Sequence, residues 1–316
     1  MTGGAGFIGS HLADALLARG DRVWMLDCFE PMYPEASKRR NLETALAAGA
    51  TLLEVDIRDR VGLEAGFRES APDVVVHLAA RAGVRPSLSD PRLYLSINVD
   101  GTLNVLDACR DHGVGNLVFA SSSSVYGLNT KTPFSEADPI GRPASPYAAS
   151  KAAGELICHT QSHLNGLPIT CLRFFTVYGP RQRPDMAVHK FARLMREGRP
   201  IPVYGEGSAR DYTYVDDVIQ GVLGAVDRPR PFAVYNLGES TTVPLEEMIA
   251  TVGRAMGVTP VIERLPSQPG DVSITFADIS RARADLGYAP AVPFAEGVAR
   301  FARWFEAEAT AVSVTS

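Results

Sequence analysis

Residues 3–9 read Gly3-Gly4-Ala5-Gly6-Phe7-Ile8-Gly9, with three glycines spaced three residues apart and a helical apolar pattern directly after them. Glycine permits a tight turn and lets a ligand approach the backbone closely. Where such a turn opens onto a helix, free N–H groups and the helix dipole favour a pyrophosphate. The stretch therefore predicts the first turn of a dinucleotide-binding fold, with Gly3, Gly6, Phe7, Ile8 and Gly9 beside the cofactor.

The residues that follow support this prediction, which a glycine triplet alone would not carry. Residues 23–26 are predicted as a short apolar strand, and Asp27 ends it. A carboxylate roughly 20 residues beyond the turn can accept hydrogen bonds from an adenosine ribose and would repel a 2′-phosphate. The sequence thus favours NAD over NADP. The basic run Lys38-Arg39-Arg40 is interpreted as a solvated helix face.

The start of the chain departs from the usual pattern, because a dinucleotide fold needs a strand before its glycine turn. Only Met1 and Thr2 precede the turn here. That strand would be the central one of the sheet, so we expect about five further native residues before Met1. The intact mass of protein made from the native gene tests this expectation.

Strand and helix patterns alternate through the first half of the chain. This alternation predicts an α/β fold, with a doubly wound parallel (Rossmann) sheet, right-handed crossovers and ligands at the carboxyl ends of the strands. His77, at one such end, is interpreted as a hydrogen-bonded core histidine. The pattern loosens later, which predicts an NAD-binding domain over 1–173 and a smaller, mixed α/β substrate-binding lobe over 174–316, with late segments able to return to the first domain. The predicted strands are 51–55, 74–78, 116–120 and 169–173, and the predicted helices are 38–48, 61–69 and 93–111.

Composition excludes several classes of protein. The 316 residues carry a formal net charge of -5, so the basic footprint of a nucleic-acid-binding protein is missing. The sequence contains neither an apolar run long enough to cross a bilayer nor a signal-peptide pattern, so we expect a cytoplasmic protein that does not bind membranes. The cysteines are scattered without a CxxC pair, which predicts reduced thiols and no metal site: Cys28, Cys109, Cys158 and Cys171.

The stretch Ser145-Pro146-Tyr147-Ala148-Ala149-Ser150-Lys151 opens a predicted helix and places a tyrosine four residues before a lysine. Residues at this spacing share a helix face. A phenol titrates near ~10, and a neighbouring positive charge lowers its pKa, so that it can take a proton from an alcohol. Alone, this pair is more often a surface tyrosine beside a solvated lysine. Ser121–Ser124 follow a predicted strand at the same sheet edge, so one of their hydroxyls is a candidate donor to a substrate oxygen.

Together, the glycine turn, the serine cluster before Val125-Tyr126-Gly127 and the Tyr147–Lys151 pair resemble the extended short-chain dehydrogenase/reductases, over essentially the whole chain. Within that family the chain is most similar to nucleotide-sugar 4-epimerases. The stretches Arg81-Ala82-Gly83-Val84-Arg85, Phe174-Phe175-Thr176-Val177-Tyr178-Gly179-Pro180 and Arg183-Pro184-Asp185-Met186-Ala187 resemble UDP-glucuronate 4-epimerases.

The resemblance implies a role for each matching residue. Tyr147 would be the general base and acid at the sugar O4, Lys151 would hold the nicotinamide ribose, and Ser122 would be the catalytic hydroxyl, with Ser123 and Ser124 left open. Further cofactor residues would be Asp27, Asp56, Ile57, Leu78, Ala79, Ala80 and Asn98. The UDP-sugar would contact Arg85, Thr176, Arg183, Val203, Tyr204, Arg210 and Asp271. Of these, Thr176 and Arg183 would hold the sugar carboxylate, Arg210 the phosphates and Asp271 the uridine ribose, whereas Gln268 receives no phosphate role.

The implied reaction moves a hydride from C4 to tightly bound NAD and back to the other face of a 4-keto sugar, while Tyr147 removes and returns the O4 proton. Ser123 and Ser124 stand where dehydratase and decarboxylase relatives carry acids, which argues against both of those activities. A UDP-glucose/galactose 4-epimerase, or another NAD-dependent nucleotide-sugar epimerase, remains an alternative. A non-catalytic NAD(H)-binding sensor or scaffold is the alternative of a different class. The resemblance also implies a homodimer formed through the helices near 93–111 and 146–163.

Overall fold

The computed structural model describes residues 1–266 and 272–314, with side chains described as far as residue 308. The helices are α1 Phe7–Ala18, α2 Glu35–Ala47, α3 Arg60–Ser70, α4 Val84–Ser89, α5 Pro91–Leu95, α6 Gly101–Asp111, α7 Pro146–Asn165, α8 Ala187–Arg196, α9 Val215–Asp227, α10 Leu245–Met256, α11 Ser280–Leu286 and α12 Phe294–Val314. The strands are β1 Trp24–Asp27, β2 Thr51–Glu54, β3 Val74–His77, β4 Asn116–Ser122, β5 Ile169–Phe174, β6 Thr176–Tyr178, β7 Ile201–Tyr204, β8 Ala209–Arg210, β9 Tyr212–Tyr214, β10 Phe232–Leu237, β11 Val243–Pro244 and β12 Ile262–Leu265.

The main sheet is parallel and is joined at its centre by Thr2. β2 pairs with β1, and β3, β4, β5 and β10 follow one another on the other side. Thr2 forms parallel bridges to both Leu26 and His77, so the residues directly before the glycine turn occupy the central position between β1 and β3. The predicted doubly wound Rossmann sheet is confirmed. The expectation of further native residues before Met1 stays a prediction.

The two faces of the sheet follow from the alternation of side chains along each strand. Leu117 and Phe119 of β4 pack into the cluster formed with α3, α6 and α7. Val118, between them, packs on the opposite face with α1 and α9. Because helices cover both faces, every residue of β4 and β5 is buried, as the apolar run over 117–120 indicates.

The segments after residue 173 contribute to both parts of the molecule. β6 pairs with β9, β7 with β12, and β8 antiparallel with β11, which makes a mixed lobe together with α8, α10 and α12. β10 pairs with β5 in the main sheet, and α9 packs against α1. The division of the chain at residue 173 remains a prediction.

The helix predicted over 93–111 is confirmed, and it contains a widened turn that the sequence did not predict. α5 ends at Leu95, a π-helical turn spans Ser96–Asp100, and α6 begins at Gly101. Within that turn Asn98 is almost fully buried and bonds to distant groups: its Oδ1 accepts from the Arg81 N–H at 2.8 Å, and its Nδ2 donates to the Arg81 carbonyl and to Ser150 Oγ. These long-range bonds explain the widened turn, a form often found at functional sites.

Two further expectations concern the core and the membrane. His77 is buried between Thr2 Oγ1, 2.7 Å from Nδ1, and Thr102 Oγ1, 3.0 Å from Nε2, so its interpretation as a bonded core histidine is confirmed. Among the residues that the structure describes, no helix combines the length and apolar character needed to cross a bilayer.

Candidate active site

The glycine turn is built as its sequence predicts. Gly3 adopts φ +71°, and a Cβ there would lie 2.7 Å from the Ala79 nitrogen. A Cβ on Gly9 would lie 2.1 Å from the Gly3 carbonyl oxygen, so neither position accepts a side chain. α1 begins at Phe7 with no side-chain cap on Gly6. Its first N–H groups therefore face the cavity beside the turn and can bind an anion.

A cavity of about 250 Å³ lies at the carboxyl ends of the parallel strands. Asp27 stands at its edge, where its two carboxylate oxygens accept from the Ala5 N–H at 3.0 Å and the Phe29 N–H at 2.9 Å. Asn98 is not part of the lining, because it lies behind the wall and bonds to the Arg81 backbone. The predicted cofactor residues that line the cavity are Gly3, Gly6, Phe7, Ile8, Gly9, Asp27, Asp56, Ile57, Leu78, Ala79, Ala80, Tyr147 and Lys151.

Sequence reasoning missed one wall of this cavity, which Glu30, Tyr33, Lys38 and Arg81 form. Lys38 was interpreted as part of a solvated face, and this was wrong: it is 6% exposed and its Nζ donates to the Glu30 carbonyl at 2.7 Å. Its helical spacing to buried Asn41 and Leu42 was the available signal. Arg81 pairs with the Glu30 carboxylate within this wall.

The polar groups of this wall fit a dinucleotide. The Tyr33 hydroxyl and the Arg81 Nε are buried and have no hydrogen-bond partner among the described residues. Buried polar atoms are normally bonded, so unpaired ones beside a cavity indicate a polar ligand. With the open helix N-terminus for a pyrophosphate and Asp27 for a ribose, the residues present fit NAD.

Tyr147 stands where this cavity meets a second one and lines both, as do Ser122 and Arg183. Ser145 caps α7 by accepting from the Ala148 N–H at 3.1 Å, and Pro146 begins the helix, so Tyr147 is fixed in its first turn. Burial raises the pKa of the Tyr147 phenol, while a hydrogen bond with Ser122 and the charge of Arg183 lower it.

The Lys151 ammonium is bonded to the backbone of β4, and its predicted effect on the phenol stays a prediction. Its Nζ donates to the Ala120 carbonyl at 2.7 Å and lies 5.1 Å from the centre of the Phe119 ring. Burial lowers the pKa of Lys151 to about 8. On Tyr147, Ser122 and Arg183 oppose the effect of burial on the pKa.

Of the clustered serines, Ser122 is the one that lines both cavities, whereas Ser123 and Ser124 line only the second. Ser122 Oγ donates to Ser124 Oγ at 3.1 Å and accepts from the Ser124 N–H at 3.2 Å. Ser121 turns away from Ser122 and donates to Glu155. Among these hydroxyls the geometry favours Ser122 as the partner of Tyr147.

The second cavity has a volume of about 480 Å³. Val203 is absent from its lining, because its side chain is 2% exposed and points into the core between the lining residues Pro202 and Tyr204. Asp271 and Gln268 lie outside the described residues. The predicted substrate residues that line the cavity are Arg85, Ser122, Ser123, Ser124, Tyr147, Thr176, Arg183, Tyr204 and Arg210.

Three arginines make this cavity electropositive. Arg183 donates through Nε and Nη2 to the two carboxylate oxygens of Asp185, at 3.0 and 2.9 Å. The Arg85 guanidinium lies 4.7 Å from the centre of the Tyr204 ring. Arg210 donates to backbone carbonyls, including that of Val272 at 2.6 Å. The lining therefore suits an anionic ligand that ends beside Tyr147.

Known proteins match this architecture. The model of the family described as "NAD dependent epimerase/dehydratase family" matches residues 1–238. UDP-glucuronate 4-epimerase 3 of Arabidopsis thaliana is 42% identical over 96% of this chain and 75% of its own length. A probable UDP-glucuronate 4-epimerase of Rhizobium meliloti is 39% identical over 97% of this chain and 96% of its own.

Solved structures agree. The UDP-glucuronic acid 4-epimerase from Bacillus cereus, in complex with UDP-glucuronic acid and NAD, superposes with a TM-score of 0.91 at 35% identity, covering 97% of this chain and 98% of that one. The Thermus thermophilus UDP-glucose 4-epimerase complex with NAD gives 0.89 at 38% identity, covering 96% and 97%. The resemblance to the extended short-chain dehydrogenase/reductases is confirmed, and the chain belongs to the NAD dependent epimerase/dehydratase family.

Proposed function

We propose that this protein is a UDP-glucuronate 4-epimerase, which interconverts UDP-glucuronate and UDP-galacturonate through a transient 4-keto sugar with tightly bound NAD. The observation that carries the proposal is the position of Arg183, which lines both cavities beside Tyr147. A guanidinium next to the catalytic phenol suits a sugar that carries a carboxylate. The names of the Arabidopsis and Rhizobium relatives and the Bacillus complex support the same substrate.

In this proposal the first cavity holds NAD. The turn Gly3-Gly4-Ala5-Gly6 and the N-terminus of α1 would bind the pyrophosphate, Asp27 would accept from the adenosine ribose, and Asp56 and Ile57 would lie beside the adenine. Lys38, which lines this cavity, fixes the loop at Glu30 through its bond to the Glu30 carbonyl. The second cavity holds the UDP-sugar, with Arg210 near the phosphates.

The side chains of this chain then control the proton and the sugar. Tyr147 Oη takes the O4 proton and later returns it. Ser122 Oγ bonds to the phenol and to the same substrate oxygen, and together with Arg183 it offsets the effect of burial on the phenol. When bound, NAD supplies a reversible hydride acceptor for C4.

Arg183 has a further task, because a 4-keto uronic acid is a β-keto acid that loses CO2 readily. Asp185 occupies the Nε and one Nη2 donor of the guanidinium, which leaves its Nη1 end for the substrate carboxylate. Thr176 lines the same cavity and supplies a hydroxyl. We infer that the two residues hold the carboxylate out of the alignment that decarboxylation needs.

We also propose a cytoplasmic homodimer. α5 and α7 expose Leu95 and Leu156 to 47% and 64%, and both leucines lie in the helices through which the resemblance implies dimerisation. A second copy packed across a two-fold axis would cover them. The cysteines are free thiols, as expected in a reducing compartment. Light scattering of the purified protein tests the dimer, and a monomer would contradict it.

The function is tested by incubating the purified protein separately with UDP-glucuronate, UDP-glucose and UDP-xylose, without added reductant. The configuration at C4 is then followed by NMR. We expect UDP-glucuronate alone to be converted rapidly. Faster conversion of UDP-glucose would identify a UDP-glucose/galactose 4-epimerase instead, and bound NAD without turnover of any sugar would identify a sensor.

A further inference from the structure

A buried ion pair between Arg173 and Glu155 lies next to Ser121, the residue before Ser122. Arg173 donates to Glu155 through Nε and Nη2, at 2.9 Å to Oε1 and 2.7 Å to Oε2. Both side chains are only 4% exposed. The Ser121 hydroxyl also donates to Glu155 Oε1, so the carboxylate is bonded to two different strands. Neither charged side chain lines a cavity around Tyr147, so neither has a part in the chemistry described so far.

The position of Glu155 on α7 connects it to the catalytic residues. Tyr147, Lys151 and Glu155 follow one another at intervals of four residues and so share one helix face. Lys151 bonds to the carbonyl of Ala120, and Glu155 bonds to Ser121, the next residue of β4. The residue after that is Ser122. Two successive bonds therefore fasten α7 to β4 immediately before the catalytic hydroxyl.

Arg173 fastens the same point from the neighbouring strand. It pairs with Ser121 in the register of β4 and β5. Its guanidinium lies 4.8 Å from the centre of the Tyr126 ring, and the Tyr126 hydroxyl donates to Asn236 Oδ1 of β10 at 2.6 Å. Tyr126 ends the short 3₁₀ turn that follows Ser122. The segment that carries Ser122 is thus held on both sides.

We propose that Glu155 and Arg173 form a positioning pair that sets the separation of Tyr147 and Ser122 during epimerisation. The inference rests on the proposed function, because it assigns these residues a role in that reaction. A buried ion pair by itself contributes little net stability relative to apolar residues, but a fixed bidentate geometry orients the elements it joins. The pair fixes the positions of Tyr147 and Ser122 relative to each other, so its loss should lower the rate of the chemical step.

Glu155 also faces the ammonium of Lys151. The other groups around that ammonium are Cys158 on the same helix, Cys171 on β5, His77 on β3 and the Phe119 ring. Burial lowers the pKa of Lys151 to about 8, and Glu155 opposes this effect. Without the carboxylate, Lys151 loses its charge at a lower pH. The alkaline limb of the activity profile should then move to lower pH.

The test uses the NAD-bound enzyme with UDP-glucuronate. The variants are Glu155→Gln, which keeps the shape of the side chain, and Glu155→Leu/Arg173→Met, which replaces the pair by apolar residues. Asp138→Asn is the matched control, because Asp138 is a buried carboxylate with an ion pair to Lys131 and lines neither cavity. For each protein, kcat, KM, the pH profile of kcat and the thermal midpoint are measured.

We expect both Glu155 variants to lose about tenfold or more in kcat while KM stays within about twofold, because a misplaced catalytic group slows chemistry without weakening binding. The alkaline limb should move to lower pH in Glu155→Gln, because this variant removes the carboxylate and leaves the positive charge of Arg173 in place. Asp138→Asn should lower the midpoint and leave the pH profile unchanged.

A wild-type kcat and pH profile in Glu155→Gln would overturn the proposal. So would an unchanged kcat with a raised KM, because the loss in kcat/KM would then come from weaker substrate binding. The same shifted profile in Asp138→Asn would also overturn it, since it would mark a general effect of destabilisation. If the double variant does not fold, Glu155→Gln decides alone. If the wild-type enzyme turns over none of the three UDP-sugars, the proposed function is refuted as well. The wild-type assay alone therefore distinguishes that failure from a failure of the positioning role.

Discussion

Replacing Arg183 by methionine should separate recognition of the uronate from catalysis on sugars in general. The guanidinium has five N–H donors, and Asp185 uses two of them. The free end can form two charge-assisted bonds to a carboxylate, each with a net value of roughly 1.5–3 kcal/mol. Because Asp185 offsets part of the charge, we take about 2–4 kcal/mol as the total. That corresponds to a loss of roughly 30- to 1,000-fold in kcat/KM for UDP-glucuronate.

The single substitution also exposes the substrate carboxylate to the unpaired charge of Asp185. The double variant Arg183→Met/Asp185→Asn removes that repulsion and is the matched control. It should recover part of the lost kcat/KM, and the remaining deficit measures the bonds that Arg183 itself makes. Any residual activity toward neutral UDP-glucose should fall much less than activity toward UDP-glucuronate.

The assay follows CO2 and UDP-pentose beside the epimerised product. Once the carboxylate is no longer held, a larger fraction of the 4-keto sugar should lose CO2. If Arg183→Met releases no more CO2 or pentose product than the wild type, the proposed orientation of the carboxylate is wrong. An equal loss for both sugars would refute the role of Arg183 in recognition.

Three other outcomes follow from particular contacts. Tyr147→Phe should lower kcat by roughly 10²- to 10⁴-fold with its bound NAD unchanged, and undiminished formation of UDP-galacturonate by NMR would contradict the mechanism. Lys38→Met should lower the NAD retained after gel filtration, because it frees the Glu30 carbonyl, whereas exposed Arg39→Met should not; equal retention would count against the Lys38 wall. Burial lowers the pKa of His77 to about 3, below its ordinary value of 6.5, so its contribution to the free energy of unfolding is present above pH 6.5 and is lost as pH falls toward 3. His77→Gln should flatten that dependence in denaturant titrations, and an unchanged slope would exclude His77 as its source.

The parts of the site that the sequence predicted well are those that local patterns determine. A glycine turn that leads into a helix leaves little choice of backbone, since Gly3 and Gly9 accept no side chain. Tyr147 follows a capped helix start, so its place at the strand ends was also predictable. Both features depend on residues within a few positions of each other.

The parts that were missed depend on distant contacts. The spacing of Lys38 to Asn41 and Leu42 marks the buried face of α2, but no local pattern predicts that the loop after Asp27 brings the Glu30 carbonyl to its ammonium. The π-helical turn at Ser96–Asp100 accompanies the bonds from Asn98 to Arg81 and Ser150. Val203 differs from its neighbours by a single step in strand register, which a short apolar segment does not define.

The source of phenol activation illustrates the same limit and has a consequence for specificity. Helix spacing places Lys151 on the face of Tyr147, but it does not decide where a long side chain ends, and the carbonyl of Ala120 binds the ammonium. The charge of Arg183 lowers the pKa of the phenol. The residue proposed to recognise the uronate therefore also assists proton removal. Arg183→Met should accordingly lower kcat as well as raise KM. The limb of the kcat profile that reports deprotonation of the phenol should also move to higher pH. Loss of carboxylate binding alone would raise KM and leave the pH profile of kcat in place.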